Sequence, residues 1–184
     1  VLIGGRERRA IVLVAHDPCW TRRFEIERDR IRAALSGAAL DVQHIGSTAV
    51  PGLAAKPIVD LLVVVPNASD PAVTARLEDA GYVLRVREPR HRMLRTPQLD
   101  VHVHLWSAGD PEIARHLRFR DRLRASAADR IAYEDLKRRL AQRDWEDMND
   151  YAAAKSALIA EILDRTGGSG SGAEGRSVRS RIDA

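Results

Sequence analysis

Residues 44–65 read HIGSTAVPGLAAKPIVDLLVVV. The second half, IVDLLVVV at 58–65, is a nearly unbroken β-branched and aliphatic run, the composition of a central strand covered on both faces. The first half carries a Gly46-Ser47 turn, further proline and glycine breaks, and Lys56. A core strand has no use for charge, because an unpaired buried carboxylate neutralises or finds a partner. Asp60 therefore lies at a strand end reaching solvent, or it faces a ligand or a metal ion.

Upstream of this strand, AIVLVA at 10–15 reads as a strand. Asp17 before Pro18 marks a helix start, and Trp20, Phe24, Ile31 and Leu35 recur at helical spacing, giving an amphipathic helix over 18–36. A further strand is expected at 40–45. Downstream, 70–80 reads as a helix ending at Gly81, with strands near 82–87, 92–96 and 99–106. From Asp110 the pattern is helical in three pieces, 110–125, 128–143 and 146–165, the last with Met148, Tyr151, Leu158, Ile159 and Ile162 on one side. Strands first and helices last define an α+β domain, a mixed sheet with flanking helices and a C-terminal helical segment. The Gly/Ser-rich stretch at 167–184 reads as a flexible tail, leaving a single domain over 1–166. Because the chain starts at Val1 without a methionine, it is expected to be processed or cut from something longer.

A length of 184 residues with 45% hydrophobic content supports one domain with a real core. No apolar run approaches the roughly 18 residues of a membrane span, and no signal-peptide layout opens the chain. The single Cys19 cannot form an internal disulfide, so a reduced, cytoplasmic setting is expected. Of 30 basic residues only three are lysines: Lys56, Lys137 and Lys155. Residues 85–95, RVREPRHRMLR, hold five arginines against one glutamate, so this stretch equals the whole formal net charge of +4. A local patch of that kind fits a phosphate-bearing small ligand better than an extended nucleic-acid surface. Nucleic acid ranks last among partners, since no aromatic residue interleaves with these arginines as a stacking surface.

The strand LDVHVHLW at 99–106 alternates with period two, placing Asp100, His102, His104 and Trp106 on one face. An amphipathic strand whose polar face meets water has the same alternation, and both readings stand at this stage. If Asp60 and Asp100 lay on adjacent strands about 4 Å apart, their repulsion would reach roughly 4 kcal/mol at an effective dielectric near 20. A divalent cation between them would turn that cost into a binding site. Carboxylates favour magnesium, and nearby histidines shift the preference towards manganese or zinc. Backbone N–H groups after Gly46, with the Ser47 and Thr48 hydroxyls and Lys56, could cradle a phosphate.

The run HIGSTAVPGLAAKPIVDLLV resembles the signature of the GrpB family, within the polymerase-beta-like nucleotidyltransferase superfamily. The resemblance extends through VHVHLW, HLRFRDRLR at 116–124, and the Tyr133…Lys137 and Tyr151…Lys155 pairs, covering about residues 11–163. Similar domains occur fused behind dephospho-CoA kinases. The resemblance implies a Gly-Ser turn, matched by Gly46 and Ser47, then an Asp-x-Asp/Glu pair whose first acid is Asp60, and a third acid for which Asp100 or His102 qualifies. Leu62 stands where the second carboxylate belongs, and that acid normally bridges two metal ions. The resemblance therefore implies a nucleotidyltransferase-like, metal-dependent enzyme. Asp60, Asp100, His102 and His104 would form its metal and catalytic set. Lys56, Arg85, Arg87, Arg90, Arg92 and Arg120 would hold a nucleotide or another acidic substrate, with either histidine an alternative general base. The competing readings are a non-catalytic nucleotide- or CoA-binding or kinase-accessory module, and a metal-dependent hydrolase or lyase on the same scaffold.

Overall fold

The computed structural model describes residues 1–8 and 10–167; the expected tail beyond Gly167 lies outside the described residues. Helix α1 (Cys19–Leu35) opens where expected, with Asp17 Oδ1 accepting from the Cys19 N–H at 2.8 Å. Strands β1 (Asp41–Ile45) and β2 (Val59–Val65) flank the Gly-Ser segment, whose residues Ser47–Ala49 form one 3₁₀ turn. Helix α2 (Pro71–Asp79) is capped by Asp70, and β3 (Val83–Glu88), β4 (His91–Arg95) and β5 (Val101–Ser107) follow. Helices α3 (Pro111–Ala125), α4 (Ala127–Ala141), α5 (Met148–Ala153) and α6 (Ser156–Gly167) complete the described chain.

The five strands form one mixed sheet in the order β1-β2-β5-β4-β3, with β2 and β5 parallel and the other pairs antiparallel. This is the α+β architecture expected from the sequence. Leu61 and Val63 of β2, Val101, Val103 and Leu105 of β5, and Leu94 of β4 turn one face towards α1 and α2, where Ile31, Leu35 and Leu77 are fully buried with them. Full burial of each such side chain is worth about 1.5–3 kcal/mol. A second, smaller core of Val50, Leu53, Leu123, Tyr133 and Ile162 fastens α3, α4 and α6 together. The main core thus fixes the register of the sheet, and that register aims Asp60, His102 and His104 at the opposite face.

Two expected elements differ. Residues 10–15 are no strand: Val12 and Val14 are exposed, and one bridge, Val14 to Ala55, is all the pairing the segment makes among the described residues. Ala10, Val12 and Leu13 of this segment border a cavity rather than extend the sheet. The helix expected over 146–165 is broken at Ala154 and Lys155. Its alanine-rich sequence reads as continuous; the break lets Ile162 of α6 pack into the second core while turning Lys155 inwards.

Candidate functional site

In the register of the parallel pair, Asp60 of β2 lies directly opposite His102 of β5. The His102 Nδ1 is 3.2 Å and the His104 Nε2 3.6 Å from the same Asp60 oxygen, Oδ1. One ligand atom from each of the three lies within 4.8 Å of the others. One carboxylate oxygen and two imidazole nitrogens, half-buried and converging, fit a divalent ion of borderline softness such as manganese or zinc better than the all-oxygen shell preferred by magnesium. Burial opposes ionisation of Asp60, but hydrogen bonds and charge from His102 and His104 outweigh it and hold the carboxyl well below the usual carboxylate range.

Gly46 presses on this carboxylate from the β1 side. Its φ of 71° and ψ of −173° define a backbone region that is essentially glycine-only. A Cβ there would overlap Asp60 Oδ2 and lie 3.2 Å from both Asp60 Cβ and Cγ. Gly46→Ala is therefore expected to cost about 1–3 kcal/mol from the backbone alone and to displace the carboxylate. Denaturant unfolding and a manganese titration check this; unchanged metal affinity would show that the contact is incidental.

A cavity of about 700 Å³ opens beside the Asp-His-His group. Gly46, Ser47, Lys56, Asp60, Asp100, His102 and His104 all line it. So do Lys137 and Lys155, so that every lysine of the chain faces one cavity in a protein that otherwise uses arginine. Lys137 Nζ donates to Ser47 Oγ at 3.1 Å and to the Ala54 carbonyl. Lys56 and Lys155 lie 5.0 and 4.0 Å from the centre of the Tyr151 ring, and Lys137 lies 5.1 Å from that of Tyr133. Desolvation, reinforced by the neighbouring lysines, lowers Lys155 to about 7. Desolvation, only partly offset by Glu134, lowers Lys137 to about 8. Such an arrangement of cations is costly alone and is relieved by a polyanion. Sequence reasoning gave no role to Lys137 and Lys155; the scarcity of lysine was the signal that could have found them.

Several sequence candidates have other employment. Asp100 accepts from Thr96 Oγ1 at 2.6 Å and pairs with Arg23 of α1 at 3.1 Å, just after a turn at Leu99 with φ of 64°. It borders the cavity but is not part of the three-residue group. The Thr48 hydroxyl donates to the Ile58 carbonyl and lies 3.0 Å from His44 Nε2, so it is spent holding the turn rather than offered to a phosphate. Burial lowers His44 to about 4, and because the Thr48 hydroxyl already donates to Ile58, a bond between the two side chains has His44 Nε2 as its donor. Arg120 donates to Gln43 Oε1 and the His44 carbonyl, both at 3.0 Å, tying α3 to β1 outside the cavity lining. The arginine patch disperses: Arg90 pairs with Asp110 at 3.0 Å, Arg92 donates to the His91 carbonyl at 2.8 Å, and neither they nor Arg87 line the cavity. Arg85 and Arg95 do. His116 of α3, lowered to about 4 by burial, stands with its ring centre 6.3 Å from that of His104.

Residues 10–165 match the family described as GrpB protein, and the chain belongs to that family. It is 51% identical over 167 residues to the UPF0157 protein SCO7215 of Streptomyces coelicolor, covering 90% of this chain and 89% of that one. The crystal structure of conserved protein GrpB from Enterococcus faecalis superposes with a TM-score of 0.75 at 35% identity, over 84% of this chain and 96% of that one. A dephospho-CoA kinase of Mycobacterium leprae is 30% identical, with 83% of this chain matching 45% of that protein. A poly(U) polymerase and a terminal U-transferase follow at TM-scores of 0.45 and 0.43 and identities of 12% and 11%, too slight a likeness to bear on chemistry. Among the described residues no helix is long and apolar enough to cross a membrane.

Proposed function

We propose that this chain is a metal-dependent enzyme of nucleotidyltransferase type, acting on a nucleotide or another small phosphate-bearing substrate. The observation that carries this reading is the convergence of Lys56, Lys137 and Lys155 on the cavity that also holds Asp60, His102 and His104. The three-residue group would hold the ion, which when bound neutralises charge on a phosphoryl oxygen. The lysines and the Ser47 turn bind and orient the phosphate chain, and the Tyr133 and Tyr151 rings keep the lysine ammoniums poorly hydrated and so strongly attractive to an anion. Leu62 leaves no second carboxylate on β2, so charge that a second ion would neutralise falls to the lysines.

A second reading, a non-catalytic accessory to a dephospho-CoA kinase, is favoured by the match to the Mycobacterium leprae protein. Radiolabelled transfer from nucleoside triphosphates with manganese, compared between the native chain and Lys137→Gln, separates the two. Transfer lost in the variant supports the enzyme; binding without any transfer supports the accessory.

The lysines also make a pH prediction. Because a bound polyphosphate restores their charge, calorimetry with ATP is expected to show proton uptake at about pH 8, little at about pH 6, and weaker binding as pH rises towards about 9. In the unliganded protein the trend is opposite. Between folded values near 7 and 8 and the unfolded value of 10.5 the unfolded chain binds more protons. The lysines' penalty on the fold is therefore full below about pH 7 and relieved as pH rises. ATP binding with no proton uptake at about pH 8 would take the lysines out of the phosphate site.

A further inference from the structure

On the far wall of the same cavity a carboxylate already sits between two arginines. Arg95 Nη1 and Nη2 hold Glu7 Oε2 and Oε1 at 2.9 and 2.6 Å, a two-pronged contact, and Arg85 Nη2 lies 3.6 Å from Oε1. Arg95 is directly opposite His102 in the sheet register, so its side chain shares the face of the Asp-His-His group one strand away, about 5 Å at the backbone. Arg85 reaches that face through a β-bulge. Leu84 pairs with Leu94 and Val86 with Met93, which leaves Arg85 unpaired and sends both it and Val86 into the cavity. Arg85 is buried, 6% exposed, and with two guanidiniums on one carboxylate this wall keeps a net positive charge.

We propose that Arg85 and Arg95 form the acceptor-substrate subsite, specific for a carboxylate, and that Glu7 is its internal occupant. The acceptor role rests on the transferase reading above; the carboxylate site itself does not. Planar guanidinium forks match a carboxylate two oxygens at a time, which is the contact Arg95 makes. The segment delivering Glu7 runs along the surface, outside both cores. Residues 3–6 and Arg8 are exposed, and the backbone of the segment is tied to β3 and to Met148: the Val1 ammonium donates to the Arg87 carbonyl at 2.5 Å, Arg87 N–H to the Val1 carbonyl at 2.9 Å, Ile3 N–H to the Arg85 carbonyl at 2.8 Å, the Arg85 guanidinium to the Gly5 carbonyl, and Met148 N–H to the Glu7 carbonyl at 3.1 Å. Few buried contacts place such a segment at the low-stability end of the fold, from which a competing ligand can displace it. Gly4 fits this arrangement, since a Cβ there would stand 2.9 Å from Arg85 Nη1.

The test is calorimetric titration of the full chain with glutarate, without nucleotide or metal, so that its failure is separate from failure of the transferase reading. Glu7→Gln, which keeps an acceptor oxygen for the arginines, should bind glutarate about tenfold more tightly than the native chain because the competitor is gone. Adding Arg95→Gln should remove that binding. A readout on the native chain guards against a misfolded variant: saturating glutarate should speed hydrogen exchange at the Ile3 and Met148 amides as the segment lifts. Equal glutarate affinity with and without Glu7, unchanged exchange at those amides, or preference for inorganic phosphate over glutarate would each overturn the assignment.

Discussion

Asp60→Asn is expected to lower manganese or zinc affinity by more than about 100-fold while the protein stays folded. Loss of a residue that merely supports a metal ligand costs about 10–100-fold, and Asp60 is itself the one carboxylate of the three-residue group. Asparagine has the same shape, so the contact with Gly46 is kept, and the side chain loses only its charge. Asp60 titrates below the usual carboxylate range, so its contribution to stability is full above about pH 4 and is lost as pH falls through its depressed folded value. Metal titrations near neutral pH therefore read binding rather than folding. Circular dichroism melts supply the control, and His102→Ala with His104→Ala forms the comparison. Full metal binding by the double histidine variant, with loss only in Asp60→Asn, would overturn the histidine-assisted site and leave a carboxylate-only ion.

Leu62→Asp is expected to destabilise the protein by about 2–5 kcal/mol through lost packing, with the desolvation of the new carboxylate added, and to bring no gain in metal affinity. Leu62 is fully buried, two residues beyond Asp60 on the same face, with Gln43 and His104 as its register partners on either side. A two-metal transferase would need an acid at this position. Against a typical total stability of about 5–15 kcal/mol, the loss is readable as a large drop in the denaturant midpoint. Tighter manganese binding by Leu62→Asp at an unchanged midpoint would show that the site is a two-metal centre lacking one acid.

The sequence alone carried which strand residues of this site share a face, though not that Asp60 lies opposite His102. Period two in VHVHLW placed His102 and His104 on one face, and the aliphatic neighbours of Asp60 required β2 to be central. Both follow from burial: a strand that slips by one residue exposes its whole core side, so the alternation is written locally. Helices α1 to α4 were legible at nearly these bounds, α1 through its Asp17-Pro18 start and apolar spacing. Residues 10–15 misled because a β-branched run has the same composition whether it pairs in a sheet or runs along the surface with a single bridge.

What only the tertiary structure decided is which charges share a space. Lys56, Lys137 and Lys155 are separated by 81 and 18 positions and obey no common period, yet they meet because the second core docks α4 and α6 against the turn at Ser47. Asp100 stands outside the three-residue group and pairs instead with the guanidinium of Arg23, from a helix on the other side of the sheet. Arg85 and Arg95 met Glu7 through a bulge that no local pattern announces. Hydrophobic periodicity is a property of neighbouring residues and survives in the sequence; electrostatic partnership depends on distance through space, and that is fixed only when the chain has folded.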